Sequence, residues 1–258
     1  MESAFNLKTI FFLAIGGILP SILWLWFWLK EDRRNPEPKS IIIGTFILGG
    51  LLVLPAYYLE QLAAGNFDLG SLETVNIDFS SVIEGLKNSL PILYLFLAWA
   101  LIEEFLKFLA AGIFAFTSRN FDEPVDAMIY MITSALGFAA LENSLFLNKT
   151  LRIAMSGFDL MMNGNLRFLG ATLLHVFCSA LVGGFIGLSL YRSKISRFKM
   201  AILGVLVASI LHALFNFFII VSKGQNIFKI LIALWIFTLT ILVLFEKIKK
   251  IKTAYVQR

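Results

Sequence analysis

Four apolar stretches of this chain carry side chains that lipid does not accommodate alone. Residues 98–112 read Ala-Trp-Ala-Leu-Ile-Glu-Glu-Phe-Leu-Lys-Phe-Leu-Ala-Ala-Gly, which places Glu103, Glu104 and Lys107 well inside an apolar run. A second run begins near Asp126 and closes with Phe138, Glu142 and Asn143. A third holds His175, and a fourth holds His212 and Asn216. A charge at the centre of a membrane helix costs about 2.5–3.5 kcal/mol on insertion scales, so such residues normally face protein or water and mark function. On a helix, Glu103 and Lys107 share a face, Glu104 also reaches Lys107, and His212 and Asn216 share a face. Lys107 is expected to pair with one carboxylate and leave the other available as a proton acceptor. Asn143 follows Glu142 in sequence but points elsewhere around the helix.

Carboxylate, imidazole and amide groups around water suit peptide hydrolysis. A glutamate takes the proton from water, a histidine orients that water, and a second histidine with an asparagine holds the developing oxyanion. Glu103, Glu142, His175 and His212 are also enough ligands for zinc, which accepts histidine nitrogen and carboxylate oxygen and activates water at an open position. No His-Glu-x-x-His signature is present, and the residues leave metal-free and zinc-dependent hydrolysis both open. Simpler roles exist for each residue alone: an ion pair that fixes packing, a glutamate at a helix end near headgroups, a histidine bonding between helices. Polar groups on four consecutive apolar runs favour one wet site inside the bilayer, expected to open outward.

The elements that must position these residues are membrane spans. Hydrophobic residues make up 59% of the chain and charged residues 15%, against roughly 25% charged in soluble domains. Too few charges remain to cover a soluble surface, so the fold class is an all-α, polytopic transmembrane bundle. Seven segments are apolar over about the 20 residues a span needs: 9–29, 41–58, 90–116, 125–147, 168–191, 200–221 and 228–245. The first reads as a retained span and not as a signal peptide. Gly183, Gly184 and Gly187 give the fifth span a small-residue packing face. Pro124 and the acids Asp122, Glu123 and Asp126 start the fourth, with Tyr130 one turn on. The connections 60–87 and 148–167 are long enough for short surface helices. The single cysteine, Cys178, reads as a small hydrophobe.

Basic residues set the orientation. Lys30, Arg33, Arg34 and Lys39, then Arg119, then Arg192, Lys194, Arg197 and Lys199, then Lys247, Lys249, Lys250 and Lys252 fall on one side under strict alternation. That side is expected to be cytoplasmic, with the N-terminus outside. Lys149, Arg152 and Arg167 lie on the other side and run against the pattern. The net charge of +5 thus reports topology, and no nucleic-acid partner is expected.

Taken together and in order, the short motifs resemble the PrsW family of intramembrane proteases, itself related to the CAAX prenyl-protease and bacteriocin-processing membrane proteases. Glu-Glu-x-x-Lys matches Glu103, Glu104 and Lys107. Phe-x-x-x-Glu followed by Asn matches Phe138, Glu142 and Asn143. A histidine in the next span matches His175, and His-x-x-x-Asn matches His212 and Asn216. The lead-in 121–127 is similar to the family's Glu-Pro-x-Asp-Gly, with Ala127 in place of the glycine. The resemblance implies a PrsW/CAAX-protease-like core over about residues 90–221 of a single membrane domain, 1–258. It implies Glu103 as activator of water, Glu142 and His175 as residues that position or polarise it, and His212 with Asn216 as oxyanion ligands. Glu104, Lys107, Phe138 and Asn143 would support them. It further implies a membrane protein or membrane-bound peptide as substrate, an anti-sigma factor being the family's best-known one, and residence in a bacterial cytoplasmic membrane. A proton-coupled transporter is the main competing use of buried acids and histidines, and a non-catalytic scaffold the other.

Overall fold

A computed structural model describes residues 11, 13–32, 35–65, 82–152, 170–221 and 227–251. Every regular element among them is helical. A π-helical turn at Ala14–Ile18 leads into α1, Leu19–Glu31. Then come α2 (Lys39–Leu51), α3 (Val53–Ala64) and α4 (Val82–Ala111), which a second π-helical turn prolongs over Gly112–Phe116. They are followed by α5 (Pro124–Arg152), α6 (Ala171–Leu188), α7 (Lys194–Val221) and α8 (Ile227–Lys249).

Among the described residues, five stretches are long and apolar enough to cross a membrane: Lys39–Ala64, Pro124–Lys149, Ala171–Leu188, Lys194–Ile219 and Phe228–Lys249. With α1 and α4, both read as spans from sequence, they make the expected helical bundle. The exposed large side chains are those of a lipid-facing surface, among them Trp26, Ile43, Leu54, Tyr57, Ile195 and Phe228. The protein is an integral membrane protein.

Helix limits differ from expectation where polar residues mislead a hydropathy reading. α3 runs to Ala64 and stops at Gly65, whose φ of +47° ends the helix; such a backbone suits glycine. α4 begins at Val82 and not near 90, and α5 continues through Asn148 and Lys149 to Arg152. α7 begins at Lys194, where the Ser193 Oγ accepts the Ser196 N–H at 3.3 Å as an N-cap, so its basic first turns are helix and not connection. The surface helices expected within 60–87 and 148–167 fall in 66–81 and 153–169, outside the described residues.

α5 is the spine. It packs on α6, α2, α1 and α4, and 94% of its span is buried, against 28% for α8. Close approach is possible because backbone meets backbone. A Cβ on Gly137 would lie 1.9 Å from the Phe46 carbonyl oxygen, and one on Gly49 would lie 2.2 Å from that of Ser134. On the other side of α5, a Cβ on Gly183 would meet the Met128 backbone at 2.5 Å and one on Gly187 the Pro124 carbonyl at 2.2 Å. The glycines anticipated in α6 are thus its contact with α5, apart from Gly184, which faces Leu244 of α8. Gly49 and Gly137 serve α2 and α5 in the same way.

The second span breaks in its middle. Pro55 lacks the N–H that would bond the Leu51 carbonyl, and its ring crowds that carbonyl. Leu52 accordingly leaves helical geometry, at ψ −6°. Before the break α2 lies tight on α5; after it α3 leans on α4 and hardly touches α5.

At the N-terminal end of α5 sits a knot of acids. The Asp126 Oδ2 accepts the backbone N–H groups of Asp122 (3.0 Å) and Glu123 (2.7 Å), the expected helix start. The Tyr130 hydroxyl joins this network by donating to Glu37, and the Asn35 amide donates to Glu123. Burial pushes the Asp32 carboxyl up to about 7, helped by repulsion from Asp126 and Glu123 and opposed by Lys249. Burial likewise raises Glu37.

Candidate active site

The polar residues on α4, α5, α6 and α7 meet. Lys107, fully buried, is their hub. Its Nζ donates to Glu103 Oε2 at 3.0 Å, to Glu104 Oε1 at 2.8 Å and to His175 Nδ1 at 2.7 Å, and lies 4.6 Å from the Phe138 ring centre. The sequence suggested one carboxylate for Lys107; it takes both, because the i+3 and i+4 positions flank the same ammonium. A backbone bond fixes the turn that carries it, with Ser134 Oγ of α5 donating to the Lys107 carbonyl at 2.8 Å.

Hydrogen-bond chemistry then fixes the imidazoles. An ammonium only donates, so His175 Nδ1 accepts and its proton resides on Nε2, which meets Glu142 Oε2 at 2.8 Å. For His212, Nδ1 donates to Glu104 Oε1 at 3.0 Å. Its Nε2 lies 3.9 Å from Glu103 Oε2 and is the acceptor when the ring is neutral. Ser179 Oγ donates to the other Glu104 oxygen at 3.2 Å. The two imidazoles meet edge to face with ring centres 5.2 Å apart.

Among the described residues, two groups of three ligand atoms lie within 4.8 Å of one another: Glu103, His175, His212 and Glu104, Cys178, His212. The first suits a divalent ion better. His175 Nδ1 and Glu103 Oε2 are 3.6 Å apart, close to the ~3.4 Å that tetrahedral zinc bonds of about 2.0–2.1 Å require. Each imidazole has a carboxylate on its far nitrogen, Glu142 on His175 and Glu104 on His212, the outer-shell partner that metal-binding histidines normally have. With both imidazoles neutral, as ligation requires, three carboxylates face one ammonium. The two negative charges in excess match a divalent cation. The donor set and its charge therefore fit the metal, on the condition that the Lys107 ammonium gives up the His175 Nδ1 lone pair that it holds in this structure.

A cavity of about 530 Å³ reaches this cluster from the side, between α3 and α5. Glu103 and Glu142 line it, with Phe138 beside them. The Glu142 side chain is 32% exposed and that of Glu103 12%; the histidines lie behind them. Two sequence candidates stand apart. Asn143 is buried and donates to Thr172 Oγ1 at 3.0 Å, tying α5 to α6. Asn216 sits one turn beyond His212, half-buried, and no described hydrogen bond joins it to the cluster. Sequence reasoning missed Ser134, Ser179 and the position of Cys178, all ordinary core residue types. It also missed Glu60, which lines the cavity but sits at the start of what reads as a connection.

A helical membrane bundle with a buried carboxylate–imidazole cluster beside a cavity suits a peptidase that works within the bilayer. The model of the PrsW family intramembrane metalloproteases matches residues 37–244, and the chain belongs to that family. Protease PrsW of Geobacillus kaustophilus is 26% identical over 231 residues, covering 87% of this chain and 88% of that protein. Protease PrsW of Bacillus subtilis is 28% identical over 206 residues, 78% and 80% of the two chains. That of Oceanobacillus iheyensis is 26% identical over 231 residues, 90% and 92%. No solved structure matches. The chain is thus an intramembrane protease.

Proposed function

We propose that this protease cuts membrane-spanning or membrane-bound proteins at the cluster of Glu103, His175 and His212, and that these three residues hold a zinc ion. The observation that carries the reading is their convergence, each imidazole backed by its own carboxylate. A zinc ion there would supply Lewis-acid polarisation of the scissile carbonyl and of a water.

The chain's own groups do the rest. Glu142 is the more open carboxylate on the cavity, so it takes the proton from the attacking water and returns it to the leaving amine. Glu103, held by the Lys107 ammonium, acts as a ligand before it acts as a base. Glu104 orients His212 and Glu142 orients His175, and Lys107, released from the nitrogen that the metal takes, balances the charge of Glu103 and Glu104. Asn216, with rotation of its half-buried side chain, donates its amide N–H to the oxyanion, while His212, its Nδ1 bonded to Glu104, serves as a ligand. Phe138 packs against the His175 ring, centres 5.7 Å apart, and keeps it aimed. Asn143 acts indirectly, through Thr172.

The substrate segment must unwind, since a helix hides its carbonyls in its own hydrogen bonds. A membrane-spanning anti-sigma factor, cut near its extracytoplasmic face, fits the family. The protein resides in the bacterial cytoplasmic membrane with its N-terminus outside, its C-terminus inside, and one membrane domain formed around residues 90–221.

Membrane-protein fragments compared by proteomics between cells with the wild-type chain and with Glu142→Gln test this reading and expose a substrate. Fragments should vanish in the variant while the protein level holds. Identical fragment patterns would reject the assignment of Glu142.

A further inference from the structure

The cavity has a direction and an unused charge. Its shape follows from the break at Leu52: Gly49 holds α2 against the α5 backbone, then α3 swings to α4, where the Trp99 Nε1 donates to the Glu60 carbonyl at 3.0 Å. The wedge left between α3 and α5 opens sideways, past Leu54, Tyr57 and Leu145, whose side chains are exposed where lipid would lie. Its volume of about 530 Å³ lies in the range of ligand sites, about 300–1,000 Å³.

Glu60, on α3, lines this wedge together with Glu142 of α5 and Glu103 of α4. Burial weighs most on its carboxylate, the charges of Glu103 and Glu142 add repulsion and that of Lys107 attraction, and no described side-chain hydrogen bond or ion pair engages it. Lys107 is spent on Glu103, Glu104 and His175. Lys149 stands exposed at the rim. A third carboxylate beside two others has a cost within a membrane that a cation from outside the chain relieves. Building on the hydrolytic reading of the same cavity, we propose that substrate reaches the cluster laterally between α3 and α5, and that Glu60 is a positioning residue that binds a lysine or arginine side chain next to the scissile bond.

Photocapture tests this in full-length protein in vesicles of phosphatidylethanolamine and phosphatidylglycerol. p-Benzoylphenylalanine replaces Tyr57, at the wedge mouth, or Ile232, exposed on α8. The probe is a polyleucine single-span peptide of about 20 residues with Lys, Gln or Glu in its outer half. Capture from position 57 should exceed that from 232, and the Lys peptide should be captured about tenfold more than the Glu peptide, as a charge-assisted hydrogen bond supplies. Glu60→Gln should bring that ratio near one and raise KM for a cleaved Lys substrate with kcat little changed. Equal capture at 57 and 232, or an unchanged ratio in Glu60→Gln, overturns the proposal. Cleavage without capture at 57 rejects lateral access alone. Charge-selective capture without any cleavage by the wild-type chain rejects the hydrolytic reading and leaves the docking in place.

Discussion

α5 carries a polar cluster at each end, and the two are built differently. Near its N-terminus, Asp32, Glu37, Asp122, Glu123 and Asp126 crowd together with a tyrosine and backbone N–H groups, and Lys249 approaches from α8. Roughly 24 Å along the helix, at 1.5 Å per residue, Glu142 joins two further glutamates to a lysine and two histidines. Acids that share protons and cap a helix make a joint between α1, α2 and α5. An acid that holds an imidazole by one nitrogen, as Glu104 holds His212, leaves the other nitrogen for chemistry. The same residue type thus serves as a fastener at one end and as part of the proposed reaction centre at the other, and its neighbours decide which.

Loss of function should separate the ends most sharply. His175→Ala or His212→Ala should lower turnover of a reconstituted membrane substrate by about 10³-fold or more and remove bound zinc together. Glu142→Gln should lower it by about 10²–10⁴-fold with zinc retained. Metal analysis beside single-turnover assays would show the split, and zinc loss in Glu142→Gln would make that residue a ligand.

Lys107→Met comes next, because it strands buried carboxylates. Removing one partner of a buried ion pair costs about 3–5 kcal/mol. The melting temperature should fall strongly in metal-free protein and recover in part with zinc, since the excess negative charge has grown. A variant as stable as wild type would contradict the hub role of Lys107.

The acidic end should answer only in stability. Tyr130→Phe loses the bond to Glu37 and should cost about 1 kcal/mol with turnover unchanged. Smallest is the effect at Asp32. Its carboxyl is raised from 3.8 to about 7, so the folded state binds its proton more tightly than the unfolded state. Stability from this group is fully present below about pH 4 and declines as pH rises towards 7. Asp32→Asn should therefore raise the melting temperature at pH 8 by ~2 °C after solvent screening and leave it unchanged at pH 4. Thermal scans across pH would read this; a gain at low pH alone would reverse the sign.

The candidate site was legible because lipid makes charge conspicuous. Glu103, Glu104, Lys107, Glu142, His175 and His212 each stand out in an apolar run, and all six meet. Helical spacing also foretold that Asn143 turns away from Glu142, and the α6 glycines announced a close contact. What sequence does not encode locally is where helices diverge. Pro55 signals a break, but only packing shows that α3 then leaves α5 and brings Glu60 to the cavity. Lys107 reaching His175 is a contact between residues 68 positions apart. Glu37 meeting Tyr130 is another, at 93.

The account stands or falls on Glu103, His175 and His212 enclosing one ion. X-ray absorption at the zinc edge, on purified protein of measured turnover, reads that shell directly. Two imidazole nitrogens and light oxygen donors at about 2.0–2.2 Å, in one-to-one stoichiometry and lost with activity in His212→Ala, are expected. Full turnover in protein without stoichiometric metal, or a shell containing the Cys178 sulfur, would contradict it.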